Sequence, residues 1–115
     1  MRFAMLLGLL CLLGCGCGVC DRLGSAWSHI VYVRTKCPPG GHGNINLFDP
    51  NVCSAFVSKC SSSELATVDQ FVQCIHQIAP CASEADQQSA ETAMRACFTK
   101  VVTGVNQDCL RAISG

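Results

Sequence analysis

The sequence predicts a mainly α fold: a small disulfide-stapled bundle of three to four antiparallel helices, preceded by an N-terminal extension with the composition of a short β-hairpin. Three observations carry that expectation. The chain has 115 residues, room for one domain and no second. Eleven of its residues are cysteine, a density found in exported, oxidised scaffolds or in metal binders. From Asp49 onward the apolar residues recur at helical rather than alternating period. The formal net charge is zero, which argues against a nucleic-acid partner, since such a protein needs a basic surplus to displace phosphate counterions. With 14% charged and 50% hydrophobic residues, the chain is too apolar to be disordered throughout.

The chain begins Met1-Arg2 and runs from Phe3 to Gly14 without a charge, through Leu6, Leu7, Leu9, Leu10, Leu12 and Leu13. One basic residue ahead of about a dozen apolar ones is the layout of an export signal. A bilayer-spanning helix needs roughly 20 such residues, and the stretch from Phe3 to Val19 is shorter and holds four glycines. It closes on Leu12-Leu13-Gly14-Cys15, which resembles the lipobox of bacterial lipoproteins, with Leu13 bulkier than the residue usual at its place. That resemblance implies a signal peptide over 1–14, cleavage after Gly14, and a diacylglycerol on Cys15 that makes the membrane a partner through a lipid anchor. Small residues also permit ordinary cleavage after Gly18 or after Ala26, giving a secreted chain. Beyond Cys15 nine cysteines follow, a cut after Gly18 leaves eight, and a cut after Ala26 leaves seven. On each reading the mature chain lies outside the reducing cytosol.

Residues 15–26, rich in Gly, Cys and Ser, read as a flexible tether. The extension 27–48 follows. Trp27 to Lys36 is dense in aromatic and β-branched residues, which suits a strand, and Cys37-Pro38-Pro39-Gly40-Gly41-His42-Gly43 forbids regular structure. Asn44 to Phe48, with Ile45 and Leu47, completes the hairpin as a return strand. Such a hairpin is marginal in water and has to lie on the helical part or be tied to it through Cys37.

The stapled helical domain covers 49–115. Asp49-Pro50 opens its first helix, since the Asp carboxylate accepts from free amides and Pro at the first position loses no bond. That helix is expected to reach about Cys60, with Val52, Phe56, Lys59 and Cys60 on one side. Ser61 and Glu64 form a capping box for a second helix whose stripe is Leu65, Val68, Phe71, Val72, Ile75, Ile78 and Ala79, ended by Pro80. Ser83 and Asp86 repeat the start signal ahead of Ala90, Ala93, Met94, Cys97, Phe98 and Val101, and Gly104 is expected to end that helix as a left-handed cap. Asn106 caps a last short helix, with Val105 and Leu110 placed as a staple and Cys109 and Ile113 facing inward. Connections this short predict antiparallel neighbours.

Cys53 and Cys60 are seven residues apart, as are Cys74 and Cys81, so each pair stands about 10 Å apart along one side of a helix and cannot bridge internally. Partners must lie on other helices. Heights measured from the turns near Ser62 and Gly104 favour Cys53 with Cys74 and Cys97 with Cys109, and leave Cys37, Cys60 and Cys81 unassigned. A core of about 65 residues supplies roughly 3 to 5 kcal/mol, and each bridge adds about 2 to 4. The staples are therefore required.

Lipobox, Gly- and Cys-rich tether and helices carrying spaced cysteines together resemble the small cysteine-rich lipoproteins of myxobacterial type, over the signal and from Asp49 to Ile113. The resemblance implies an envelope location and a stapled helical fold, and no activity. The residues themselves carry no Gly-x-Ser-x-Gly elbow, no His-Glu-x-x-His and no phosphate loop, so neither an enzyme nor a cofactor is expected. The leading reading is a noncatalytic envelope-anchored or secreted interaction or structural module, with Trp27, Tyr32 and Phe48 either offering aromatic area to an unidentified protein partner or packing on the bundle. A second reading is a carrier of an apolar small molecule in a cavity lined by Val68, Phe71, Ile75, Met94 and Phe98. A third is a metal or redox site at Cys15, Cys17 and Cys20 with His29, His42 and His76; against it, His76 shares a helical side with Asp69 and Gln73 and reads as exposed, and His42 sits in a Gly-rich turn.

Overall fold

The computed structural model describes residues 18–37 and 48–114, and these form five α-helices and no strand. The signal over 1–14, Cys15, Cys17, His42 and the return strand from Asn44 to Leu47 lie outside the described residues.

The first helix, α1 (Val19–Lys36), replaces both the tether and the first strand of the hairpin. Residues 19–26, expected to be flexible, are its opening two turns, and Trp27 to Lys36 completes it. The reason is burial. Val19, Leu23, Ala26, Ile30, Val33 and then Cys37 are all buried, and they recur at alternating steps of four and three, which places them on one helical stripe. A lone hairpin would have left the outward half of these side chains in water, and that loss outweighs the strand preference of Ile30, Val31, Tyr32 and Val33. Gly18, with φ of 82°, takes the left-handed turn into the helix, a backbone state that costs glycine nothing.

Local chemistry sets the remaining starts much as expected. In α2 (Pro50–Phe56) the Asp49 carboxylate accepts from Asn51 N–H at 2.8 Å with Pro50 in the first turn, and a 3₁₀ turn, Val57–Lys59, carries the chain on to Cys60. Ser61 caps α3 (Ser62–His76): its Oγ accepts from Glu64 N–H at 3.2 Å while Glu64 Oε1 accepts from Ser61 N–H at 3.0 Å. At the start of α4 (Asp86–Gly104) the capping runs in reverse, because the Asp86 carboxylate reaches back to accept from Ala82 and Ser83 N–H at 3.0 and 3.2 Å. Asn106 Oδ1 caps α5 (Gln107–Ser114) by accepting from Cys109 N–H at 2.8 Å.

Gly104 departs from expectation. It is the last helical residue and has no positive φ; Val105, extended, ends the helix instead. Its role is steric. A Cβ built at Gly104 would meet Thr67 Cγ2 at 2.9 Å, so glycine is what lets α4 close against α3 at that level.

The packing differs from a simple up-and-down bundle. Of the short connections, that between α3 and α4 joins antiparallel neighbours: Thr67 meets Gly104 and Phe71 meets Phe98, with ring centroids 5.2 Å apart. Elsewhere, α2 lies against α1 and α5 rather than along α3, and α5 lies against α2 rather than along α4. α1 runs parallel to α3, as Arg22 with Asp69, Ser25 with His76 and His29 with the Ile78 carbonyl show by climbing both helices together. It runs antiparallel to α4, with Trp27 beside Phe98 and Arg34 beside Glu91. The Trp27 indole donates to the Ile113 carbonyl at 2.9 Å and so fixes α5 to α1.

One carboxylate ties two helix starts together. Besides capping α3, Glu64 accepts through Oε2 from Asn106 N–H and through Oε1 from Asn106 Nδ2 at 2.9 Å, and Asn106 Nδ2 also reaches the Lys59 carbonyl at 3.1 Å. The backbone N–H groups of Ser61 and then Asn106 favour the charged form and hold the Glu64 pKa below its ordinary value. A carboxylate with a depressed folded pKa contributes stability that is full above the ordinary value of 4.5 and is lost as pH falls through the folded value.

Two outcomes follow. Glu64→Gln lowers the melting temperature near neutrality and flattens its fall on acidification below pH 4.5, measured by circular dichroism; an acid limb identical to wild type would remove Glu64 from that role. Gly104→Ala destabilises by about 1 kcal/mol despite the helix preference of alanine, and in a Thr67→Ser background, which lacks Cγ2, the same change becomes neutral or stabilising.

Candidate functional site

The covalent framework is the feature most specific to this chain. Four bridges join Cys20–Cys53, Cys37–Cys81, Cys60–Cys109 and Cys74–Cys97, so all eight cysteines of the described residues are paired. The expected pairs Cys53–Cys74 and Cys97–Cys109 are therefore corrected. Both came from heights across a turn, and in both cases the helices flanking that turn are not packed neighbours. Cys53 turns instead to Cys20 on α1, and Cys109 to Cys60 at the end of the 3₁₀ turn. Where consecutive helices do pack, between α3 and α4, Cys74 finds Cys97. Cys37, at the end of α1, holds Cys81 just ahead of α4.

Cys20 is absent from the expected framework because it falls in the segment that reads as a tether. Its signal is nonetheless present in the sequence: Val19, Leu23, Ala26, Ile30, Val33 and Cys37 keep helical spacing through the tether boundary, which puts Cys20 on a helix next to a buried stripe. Bonded to Cys53, Cys20 is not a metal ligand, which corrects its place in the metal reading. Among the described residues no three His, Cys, Asp or Glu side chains come together as a metal-holding group.

The three aromatic residues considered for interaction separate. Trp27 is half-buried, its ring 5.6 Å from that of Phe98 and its indole N–H spent on Ile113. Phe48 is half-buried on the core beside Gly24. Tyr32 remains 47% exposed, with the His29 ring and the Lys36 ammonium each 6.0 Å from its ring. His29 donates its Nε2–H to the Ile78 carbonyl at 2.8 Å, and its ring lies 5.2 Å from that of exposed His76, whose Nε2 faces Ser25 Oγ at 3.4 Å. Tyr32, His29, Lys36 and His76 thus gather along α1 where it borders the end of α3.

The five side chains expected to line a cavity pack into or against the core and line no common space among the described residues. Val68, Phe71, Ile75 and Met94 are buried, and the Phe98 ring sits between Trp27 and Phe71. Among the described residues, open volume lies on the outer side of α3 and α4, in two spaces of about 530 and 660 Å³, and in a smaller one of about 260 Å³ where Arg34 of α1 meets Glu91, Met94, Arg95 and Phe98 of α4.

Comparison with protein-family models, with curated proteins and with solved structures finds no match to this chain.

The loops closed by Cys60–Cys109 and Cys74–Cys97 span 49 and 23 residues. Replacing the first pair by alanines costs about 4 kcal/mol and the second about 3.4 kcal/mol, in that order, by urea denaturation. Full reduction abolishes the cooperative thermal transition; an unchanged melt in reductant would show that the bridges are dispensable.

Proposed function

We propose that this protein is a noncatalytic exported module, anchored at the cell envelope by lipid on Cys15 or secreted, which acts by holding a compact surface in an oxidising compartment. The observation that carries the reading is the complete pairing of eight cysteines in four bridges, each joining elements that local sequence alone would not hold together. Such bridges persist outside the reducing cytosol and are rare within it. No described helix is long and apolar enough to cross a membrane; in this reading attachment is by the acylated Cys15. The α1 face around Tyr32 is its candidate for contact with a protein partner, because it combines an exposed ring with a cation and two imidazoles.

The routes of maturation differ in the cysteines they leave. Cleavage after Gly18 leaves a chain in which every cysteine has its partner, whereas acylation of Cys15 leaves Cys17 with none among the eight. Intact mass of the protein purified from bacterial envelope and medium, alkylated under denaturing conditions before and after reduction, reads the cut, the lipid and the thiols at once. The expected result is eight cysteines that label only after reduction, a diacylglycerol on Cys15, and transfer of Cys15→Ala from the membrane fraction to the soluble one. Most cysteines labelling without reduction would overturn the exported, stapled reading, and an unmodified Cys15 would overturn the anchor.

A further inference from the structure

The contact between α3 and α4 closes on its inner side and stays open on its outer side. The two spaces there share Cys74, Gln77 and Cys97 in their linings, so the Cys74–Cys97 bridge forms the floor where one passes into the other. They are two halves of one trough, and the halves differ in kind. The larger, toward the start of α4, is walled by Ile78, Ala79, Pro80, Ala90, Ala93 and Ala96. It exists because the bridge sets the interval between the helices and alanine side chains are too short to fill it. The smaller half is lined by Thr67, Gln70, Gln73, Lys100 and Thr103; the two hydroxyls donate to the Ser63 and Thr99 carbonyls of their own helices, which leaves the glutamine amides and the Lys100 ammonium as the donors open to a ligand.

The charges at the two ends are not equivalent. Asp86, at the apolar end, has its carboxylate occupied by the Ala82 and Ser83 N–H groups. Lys100 is the charged residue of the polar half, and it makes no ion pair among the described residues. Among the described residues, the charge of the trough that no ion pair or side-chain hydrogen bond engages is thus a single cation, set beside amides and continuous with an apolar slot. Along α4, Asp86 and Lys100 stand about 21 Å apart, the reach of an extended alkyl chain rather than of a compact ring, and the volume of each half falls in the range of small-molecule sites.

From this arrangement we propose that the trough binds a single-chain anionic amphiphile of the fatty-acid class, its alkyl chain along Ile78, Pro80, Ala93 and Ala96 and its carboxylate at Lys100 beside the Gln70 and Gln73 amides. The proposal rests on the noncatalytic binding-module reading and does not require the anchor on Cys15. It differs from the carrier expected from sequence in place and in ligand charge: the site is the outer face, not the core, and the ligand is anionic.

The test titrates laurate, kept below its micellar concentration, into the delipidated, oxidised protein and follows amide shifts by NMR. Saturable one-to-one binding with shifts confined to α3 and α4 is expected. Lys100→Glu weakens laurate about tenfold or more while leaving dodecanol unchanged, Ala96→Phe weakens both, and dodecyltrimethylammonium binds about tenfold or more below laurate. Both substitutions fall at exposed positions, and thermal melts like that of the unmutated protein confirm that each variant is folded. Absence of saturable binding, equal affinity for the cationic amphiphile, or indifference to either variant would overturn the proposal. So would capture by anionic vesicles with no response to monomeric laurate, which would assign the affinity to a bilayer surface. Thiol counting is independent of this titration, so the stapled, exported module stands or falls separately from the ligand.

Discussion

Sulfur occupies the interior of this protein as well as crossing it. Among the described residues twenty buried side chains make up the core, five of them cysteine, and each of the four bridges has at least one of its halves among them. Each bridge therefore acts twice. It restricts the unfolded chain, and it fills core volume that a chain of this size has few large side chains to fill. Cys53 and Cys109 are completely buried, so the bonds that hold α2 and α5 run through the packed interior. Helices as short as the seven residues of α2 and the eight of α5 are marginal on their own, and here the bridges tie α2 to the longer α1 and α5 to the end of the 3₁₀ turn that follows α2.

The longest consequences run through α1. It touches every other helix or its flank: α2 through Cys20, α3 through Arg22 and His29, α4 through Trp27 and Arg34, and α5 through Trp27. Its parallel course beside α3 is possible because the chain passes through α2 before α3 begins. A bundle of the expected kind, built from residues 49–115 alone, would have left α3 without the helix that runs beside it.

What is legible in the sequence is what is decided within a few residues. Asp49-Pro50, the box of Ser61 and Glu64, and Asn106 all appear where expected, because a cap needs only neighbouring amides. The extension defeats a reading that weighs composition above period: β-branched residues argue for a strand only while their burial pattern is ignored. Bridge partners lie beyond reach for a different reason. They depend on which helices touch, and that is settled by a helix occupying the segment that reads as a tether. The outer trough is equally hidden, since the shortness of Ala93 and Ala96 matters only once Cys74–Cys97 has set the distance between two helices.

The junction at Glu64 has a bearing on how the molecule breathes. Helix ends ordinarily fray one at a time, each losing only its own terminal bonds. Here a single side chain serves the first turn of α3 and the residue that opens α5, while Asn106 holds Lys59 at the same point. Opening either end forfeits the bonds that join the two, while the box of Ser61 and Glu64 and the Asn106 cap on Cys109 are each local to one helix. The two segments, more than forty positions apart in sequence, are therefore coupled in local opening, through a shared carboxylate rather than through a shared apolar face.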